Sequence, residues 1–156
     1  MQTKEEYYMA MALKEAAKAF EANEVPVGAV ILKNDQILAK AHNQIKMLKD
    51  PTAHAEMIAI TQAASALENE RLIDCDMYST LEPCAMCAGA MVLARIKRLF
   101  ISSDDPKTGA AGSVFNIVSD DRLNHRIEVV RGLYATESSL LMQDFFKSKR
   151  ANDCNS

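Results

Sequence analysis

The sequence predicts a layered α/β domain built around a central, mostly buried sheet, and two observations carry that expectation. Short apolar runs that read as strands alternate along the chain with longer segments of helical period. The 156 residues are 49% hydrophobic, enough for one substantial core, so a single domain over 1–156 is expected, with about 151–156 forming a polar tail.

The elements follow in order. Between Glu5 and Glu21, the residues Tyr8, Ala12, Ala16 and Ala19 recur at helical spacing among charges, predicting an amphipathic helix that Pro26 and Gly28 end. Val27 to Leu32 and Ile37 to Ala41 read as strands of a hairpin around Lys33-Asn34-Asp35-Gln36. A loop containing Asn43 leads to Asp50-Pro51-Thr52, which has the capping oxygen and first-turn proline of a helix start; that helix is expected to run to about Leu67. Met77 to Leu81 predicts a third strand, Pro83 opens a helix to about Arg95, and Leu99 to Ser102 predicts a fourth strand. After a glycine-containing loop from Ser103 to Gly112 come a fifth strand, Ile127 to Val130, and a last helix, Thr136 to Arg150, with Leu140, Leu141 and Phe145 on its apolar side. The chain shows no repeat, linker or low-complexity stretch.

Charge and cysteine usage narrow the function. A formal net charge of −3 argues against holding nucleic acid by a broad positive field. Any such contact must be local, and Phe145-Phe146-Lys147-Ser148-Lys149-Arg150 is the one basic, aromatic stretch. No apolar run approaches the roughly 20 residues of a membrane span, and the N-terminus lacks the pattern of a signal peptide, so a cytoplasmic protein with no membrane partner is expected. In a reducing compartment four cysteines are poor disulfide candidates. Cys75 reads as a buried or half-buried structural thiol just before a strand, and Cys154 as an exposed thiol in the tail.

Cys84 and Cys87 are different, because a spacing of three on a helix puts both sulfurs on one face. A helix N-terminus also favours their thiolate forms. Thiolates with an imidazole suit zinc, and His54, near another helix start, is the natural third ligand. Three protein ligands leave the fourth tetrahedral position to water, the mark of a catalytic site. Glu56 lies about 200° around an ideal helix from His54, so it reaches the same locus only from a first turn, where it can carry protons for that water. Duller readings exist for each part. A CxxC pair alone is compatible with a redox dithiol, and a structural zinc needs a fourth ligand, for which His42, Cys75 and His125 are the other candidates, none in paired spacing.

The joint pattern His54-Ala55-Glu56 and Pro83-Cys84-Ala85-Met86-Cys87 matches a signature already known for zinc-dependent nucleobase deaminases. At these residues the chain closely resembles the bacterial tRNA-specific adenosine deaminases, within the cytidine deaminase-like superfamily. Glu24-Val25-Pro26-Val27-Gly28-Ala29, Ala41-His42-Asn43, Asp50-Pro51-Thr52-Ala53, Thr80-Leu81-Glu82 and Asn124-His125-Arg126 extend the likeness over about Tyr7 to Arg150, and the Asp104 to Ser113 stretch resembles the family's substrate loop.

The resemblance implies a three-layer α/β/α sandwich with a central five-stranded mixed sheet, cytidine deaminase-like, and a homodimer with one zinc ion per chain. It implies hydrolysis of adenosine to inosine at the wobble position of a tRNA anticodon, chiefly in the arginine tRNA reading with ACG, and no DNA partner. It further implies that Asn43 hydrogen-bonds the flipped adenine and that Val27, Ala55 and Pro83 shape its pocket. Asp104, Asp105 and Lys107 are then expected near neighbouring anticodon nucleotides, and Phe145, Phe146 and Arg150 at the RNA-facing end of the last helix. Alternatives stay open residue by residue: Asn43 as a turn cap, Asp104 and Asp105 as a solvated loop, His125 as structural, and one of the two adjacent phenylalanines as core. Two rival functions remain, a deaminase of free guanine, cytosine or a nucleoside, and a non-catalytic zinc-stabilised RNA-binding module; Glu56 speaks against the second.

Overall fold

The computed structural model describes residues 1–154, the side chain of Cys154 excepted, so the expectation for that thiol lies outside the described residues. Helix α1 spans Lys4–Glu21, with the Thr3 side chain accepting from the Glu6 amide at its start and Tyr8, Met9, Ala12, Ala16 and Ala19 buried along one stripe. It stops earlier than Pro26: Ala22 caps it and Asn23 turns left-handed at φ 62°. Strands β1 (Gly28–Lys33) and β2 (Gln36–His42) form the expected hairpin. Its two turn residues, Asn34 and Asp35, both have positive φ, 51° and 64°, the twist that suits a two-residue hairpin connection.

The next segment differs from the expectation in two ways. A short helix α2, Ile45–Leu48, occupies what reads as loop. Helix α3 covers Ala55–Leu67, so it begins later than Asp50; the Asp50 carboxylate instead accepts from the Thr52 amide and hydroxyl in a local turn. Strand β3 (Cys75–Leu81), helix α4 (Ala85–Ala94), strand β4 (Arg98–Ser103) and strand β5 (Glu128–Arg131) come next, and α5 (Ala135–Cys154) runs on through the start of the polar tail. Cys75 is buried, as expected, and opens β3 rather than preceding it.

The five strands make one mixed sheet in the order β2-β1-β3-β4-β5. β1 is antiparallel to β2 and to β3, whereas β3, β4 and β5 run parallel. The central strands are buried on both faces; the edge strands β2 and β5 are partly exposed. One face carries Ala29, Ile31, Met77, Leu99 and Ile101 against α3 and α4, which approach closely because they present Ala59, Ala63 and Ala88. The other carries Val30, Leu32, Tyr78 and Phe100 against α1, with Tyr78 and Phe100 stacked at 4.3 Å between centroids. Gly28 permits the closest approach: a Cβ there would lie 2.0 Å from the Ala12 carbonyl oxygen and 2.6 Å from the Ala16 nitrogen. No helix among the described residues is long and apolar enough to cross a membrane.

This topology gathers chain ends on one rim. β3 and β4, being parallel, both end there, and the hairpin returns to the same rim because Gly28 pairs with His42. Segments leaving a parallel sheet at the carboxyl ends of its strands are where α/β proteins build sites.

Candidate metal centre and active site

Two helix N-termini converge on this rim. His54 is the N-cap of α3 and Cys84 the N-cap of α4, both with extended backbone. The His54 Nδ1 atom lies 3.7 Å from the Cys84 sulfur and 3.5 Å from the Cys87 sulfur, and the three ligand atoms fall within 4.8 Å of one another. A tetrahedral zinc, with Zn–S about 2.3 Å and Zn–N about 2.0–2.1 Å, needs a sulfur–nitrogen separation of about 3.6 Å. The cluster therefore has the dimensions and the donor set of a zinc site. The His54 ring also donates to the Pro51 carbonyl, which orients it toward the sulfurs.

The two cysteine side chains sit close enough to shift each other's acidity in opposite directions. Hydrogen bonds from the Cys87 thiol and the His54 ring bring Cys84 down to about 4. The neighbouring Cys84 sulfur and burial push Cys87 well up. A bound cation removes that conflict, since its charge favours both thiolates at once.

Glu56, in the first turn of α3, sits inside this group rather than on the surface. It is 4% exposed, its carboxyl contacts the Cys87 thiol, and burial pushes it up to about 7. The placement bears on the two-residue spacing from His54: the N-cap faces the ligands, and the second helical residue reaches the same locus from the side. Asn43, also buried, accepts from the Ala55 amide through Oδ1 at 2.7 Å, and its backbone N–H donates to the Val27 carbonyl at 3.2 Å. Val27, Ala55 and Pro83 are buried beside it or beside the ligands. These residues form one contiguous set with the metal cluster.

The remaining candidates lie further along the rim. A groove of about 770 Å³ runs between the 104–108 segment and α5, lined by Asp104, Asp105, Lys107, Phe146, Lys147 and Arg150 among others; the zinc-type ligands do not line it. Phe146 is 42% exposed there, whereas Phe145 is buried edge-on against Phe20 and Phe146. Of the two acids, Asp104 pairs with Arg131, and Asp105 accepts from the Lys107 and Thr108 amides and the Thr108 hydroxyl within its own loop. His125 donates to the Ile96 carbonyl at 2.6 Å, a structural bond.

Two buried carboxylates with no role legible in the sequence hold the loops in place. Glu24 accepts from the Lys46 and Met47 amides, capping α2 from more than twenty positions upstream. Glu82 accepts from three amides of the 104–113 loop and contacts Arg131. Both stand within motifs, yet only the fold shows that they face inward.

The family described as the cytidine and deoxycytidylate deaminase zinc-binding region matches residues 2–103. Over 147 residues the chain is 49% identical to the tRNA-specific adenosine deaminase of Aquifex aeolicus (strain VF5), covering 94% of this chain and 97% of the relative. A solved structure from work on A-to-I editing by tRNA:A34 deaminases at the wobble position of transfer RNA superposes with a TM-score of 0.84 at 43% identity, covering 86% of this chain and 98% of that one. The guanine deaminase of Bacillus subtilis is more distant, with a TM-score of 0.64 and 30% identity over 96% of this chain and 95% of that one.

Proposed function

The chain belongs to the cytidine and deoxycytidylate deaminase zinc-binding family and is a tRNA adenosine deaminase that makes inosine; from that premise we propose that it acts at the wobble position of the anticodon, chiefly in the arginine tRNA reading with ACG. We take 1–156 to be one deaminase domain, with one zinc per chain held by His54, Cys84 and Cys87. The observation that carries the proposal is the convergence of these three ligands with a buried carboxyl, Glu56, that contacts one of them.

Zinc held by these residues would supply a water activated at neutral pH. The protein's own part is proton handling and placement. Glu56 would carry two protons in turn. The first, taken from the attacking water on a carboxylate oxygen, goes to the purine ring nitrogen as the C6–O bond forms. The second, taken from the resulting C6 hydroxyl, goes to the amine as the C6–N bond breaks, so that adenosine and water give inosine and ammonia. The burial of Glu56 keeps the carried proton out of exchange with bulk solvent. Asn43 commits its Oδ1 to Ala55, which leaves its NH2 to donate to a ring acceptor. Val27, Ala55 and Pro83 provide the apolar walls.

RNA recognition is assigned to the neighbouring groove. Phe146 offers an exposed ring for stacking, supported from beneath by Phe145, and Lys107 and Arg150 offer cations to phosphates. Asp104 and Asp105 are placed to shape the loop that meets the flanking nucleotides. A loop base is already unpaired, so turning it into the pocket costs less than opening a duplex. A second copy of the chain as partner is favoured by the exposed apolar side chains of Met47 and Leu48 on α2 and Leu93 on α4, and a cytoplasmic location by the substrate.

A second reading, deamination of free guanine or another base, draws on the likeness to the Bacillus subtilis guanine deaminase. Measuring ammonia release on an anticodon hairpin beside free adenosine, cytidine and guanine separates the two. Release from the hairpin alone supports the RNA reading, and equal or faster release from a free base moves the function to the second.

A further inference from the structure

We infer that Glu82 is a positioning residue whose buried carboxylate clamps the 104–113 loop against the turn that carries Cys84, and thereby sets the affinity for RNA. The RNA part rests on the function proposed above; the clamp stands on geometry alone.

Glu82 lies between the end of β3 and Pro83-Cys84, and its side chain is closed off from solvent. Every hydrogen-bond partner of its carboxylate is a donor. Oε1 accepts from the Asp105 amide at 3.1 Å and from the Ser113 hydroxyl, and Oε2 accepts from the Ala111 amide at 3.0 Å and the Ser113 amide at 3.1 Å. The Arg131 guanidinium adds a contact of 3.1 Å and extends to Asp104 and to the Ala111 carbonyl, locking the two ends of the loop to β5. Three amides from separate positions of one loop thus share a single carboxylate, so the loop cannot shift without unpairing buried donors.

Gly109 is an independent sign of this design. Its φ is not left-handed, so backbone freedom does not require a glycine; room does, because a Cβ there would lie 2.4 Å from the Glu82 Cδ and 2.5 Å from Oε2. On the other side of the turn, the Pro83 carbonyl accepts from the Ala110 amide at 2.7 Å, immediately before Cys84. The outer side of the same loop, Asp104 to Thr108, forms one wall of the groove opposite Phe146 and Arg150. Glu82 itself lines neither the groove nor the ligand cluster, so it acts through the loop.

The test compares wild type with Glu82→Gln, which places an amide NH2 among donors, and with Arg131→Gln, which leaves the carboxylate and its amide partners intact. Four readouts are needed: zinc content, the rate of tryptic cleavage after Lys107 without RNA, the Kd for a synthetic RNA hairpin with adenosine at the wobble position, and kcat separately from KM. Glu82→Gln should keep its zinc and a kcat near wild type at saturating RNA, and be cut faster at Lys107. It should also bind the hairpin about tenfold more weakly, the effect of roughly one lost charged hydrogen bond, with KM rising in step. Unchanged cleavage and unchanged Kd, or a fall in kcat at constant KM, would overturn the clamp. If Glu82→Gln fails to fold, Arg131→Gln decides by the same two readouts, faster cleavage with weaker binding supporting the inference and no change in either overturning it. If the wild type ignores the hairpin, the RNA reading fails, and the Lys107 cleavage rates still decide the clamp.

Discussion

His54 and Cys84 are each the N-cap of a different helix, and their side chains meet with Nδ1 3.7 Å from Sγ. Helix N-termini carry partial positive charge and unpaired amides. Two of them aimed at one point hold a thiolate ready, and bring Glu56 to the same point from the first turn of α3. Replacing Cys84 or Cys87 with alanine should therefore abolish stoichiometric zinc and deamination together. It should also lower the melting temperature, because metal that binds only the native state stabilises it. Metal analysis with thermal melting checks this, and a fully active zinc-free variant would refute the ligand assignment.

Glu82 supplies a pH-dependent stability difference. Burial alone raises its carboxyl, but the hydrogen bonds from Ser113, Asp105 and Ala111 outweigh it and hold the group below the usual carboxylate range. A depressed folded value stabilises the protein fully above the unfolded value, roughly 4.3. That stabilisation is lost as pH falls through the folded value. The gap in melting temperature between wild type and Glu82→Gln should be widest near neutrality and narrow below about pH 4. A gap that stays constant across the titration would show that Glu82 acts by packing alone.

Gly28→Ala tests the layer contact between α1 and the sheet. Its methyl would fall 2.0 Å from the Ala12 carbonyl oxygen, backbone on both sides, so the helix must move. The expected loss is at the upper end of the roughly 1–3 kcal/mol seen for overpacking. Urea unfolding measures it, and an unchanged midpoint would mean that α1 shifts freely on the sheet.

How much of the molecule is legible in its sequence depends on range. The hairpin is readable because Asn34-Asp35 is a local signal between two apolar runs, and the candidate metal site because His54, Cys84 and Cys87, which the fold brings together, fall into two short motifs with fixed spacing. Helix α2 is not readable, since its cap is Glu24, brought close only by folding. The start of α3 is misread because Asp50-Pro51-Thr52 resembles a cap while its carboxylate closes a turn. Glu82 stands within a motif but shows no role there, because its partners at 105, 111 and 113 are distant in sequence. Adjacent Phe145 and Phe146 are expected to diverge on a helix, and they do, one into the core and one to the groove.

Lys149 and Arg150 test the basic end of α5. Lys149 sits over the Phe145 ring at 5.7 Å, and the Lys46 ammonium beside it pushes its pKa down, so cations from two elements are brought together. Replacing both residues with alanine should leave zinc and fold intact and weaken hairpin binding. It should also flatten the dependence of log affinity on log salt by about 0.7–0.9 for each phosphate no longer neutralised. Titrations at several salt concentrations check this; an unchanged slope would remove the α5 end from the RNA interface.

The most direct measurement compares wild type and Glu56→Ala on the same anticodon hairpin, scoring inosine at each position of the product beside zinc content and hairpin Kd. The wild type should convert the wobble adenosine and no other. Glu56→Ala should keep its zinc and its affinity while turnover falls by at least about 10²–10⁴-fold, the scale of one positioned proton carrier. A Glu56→Ala protein that still makes inosine at a comparable rate, or that loses its zinc, would contradict the account.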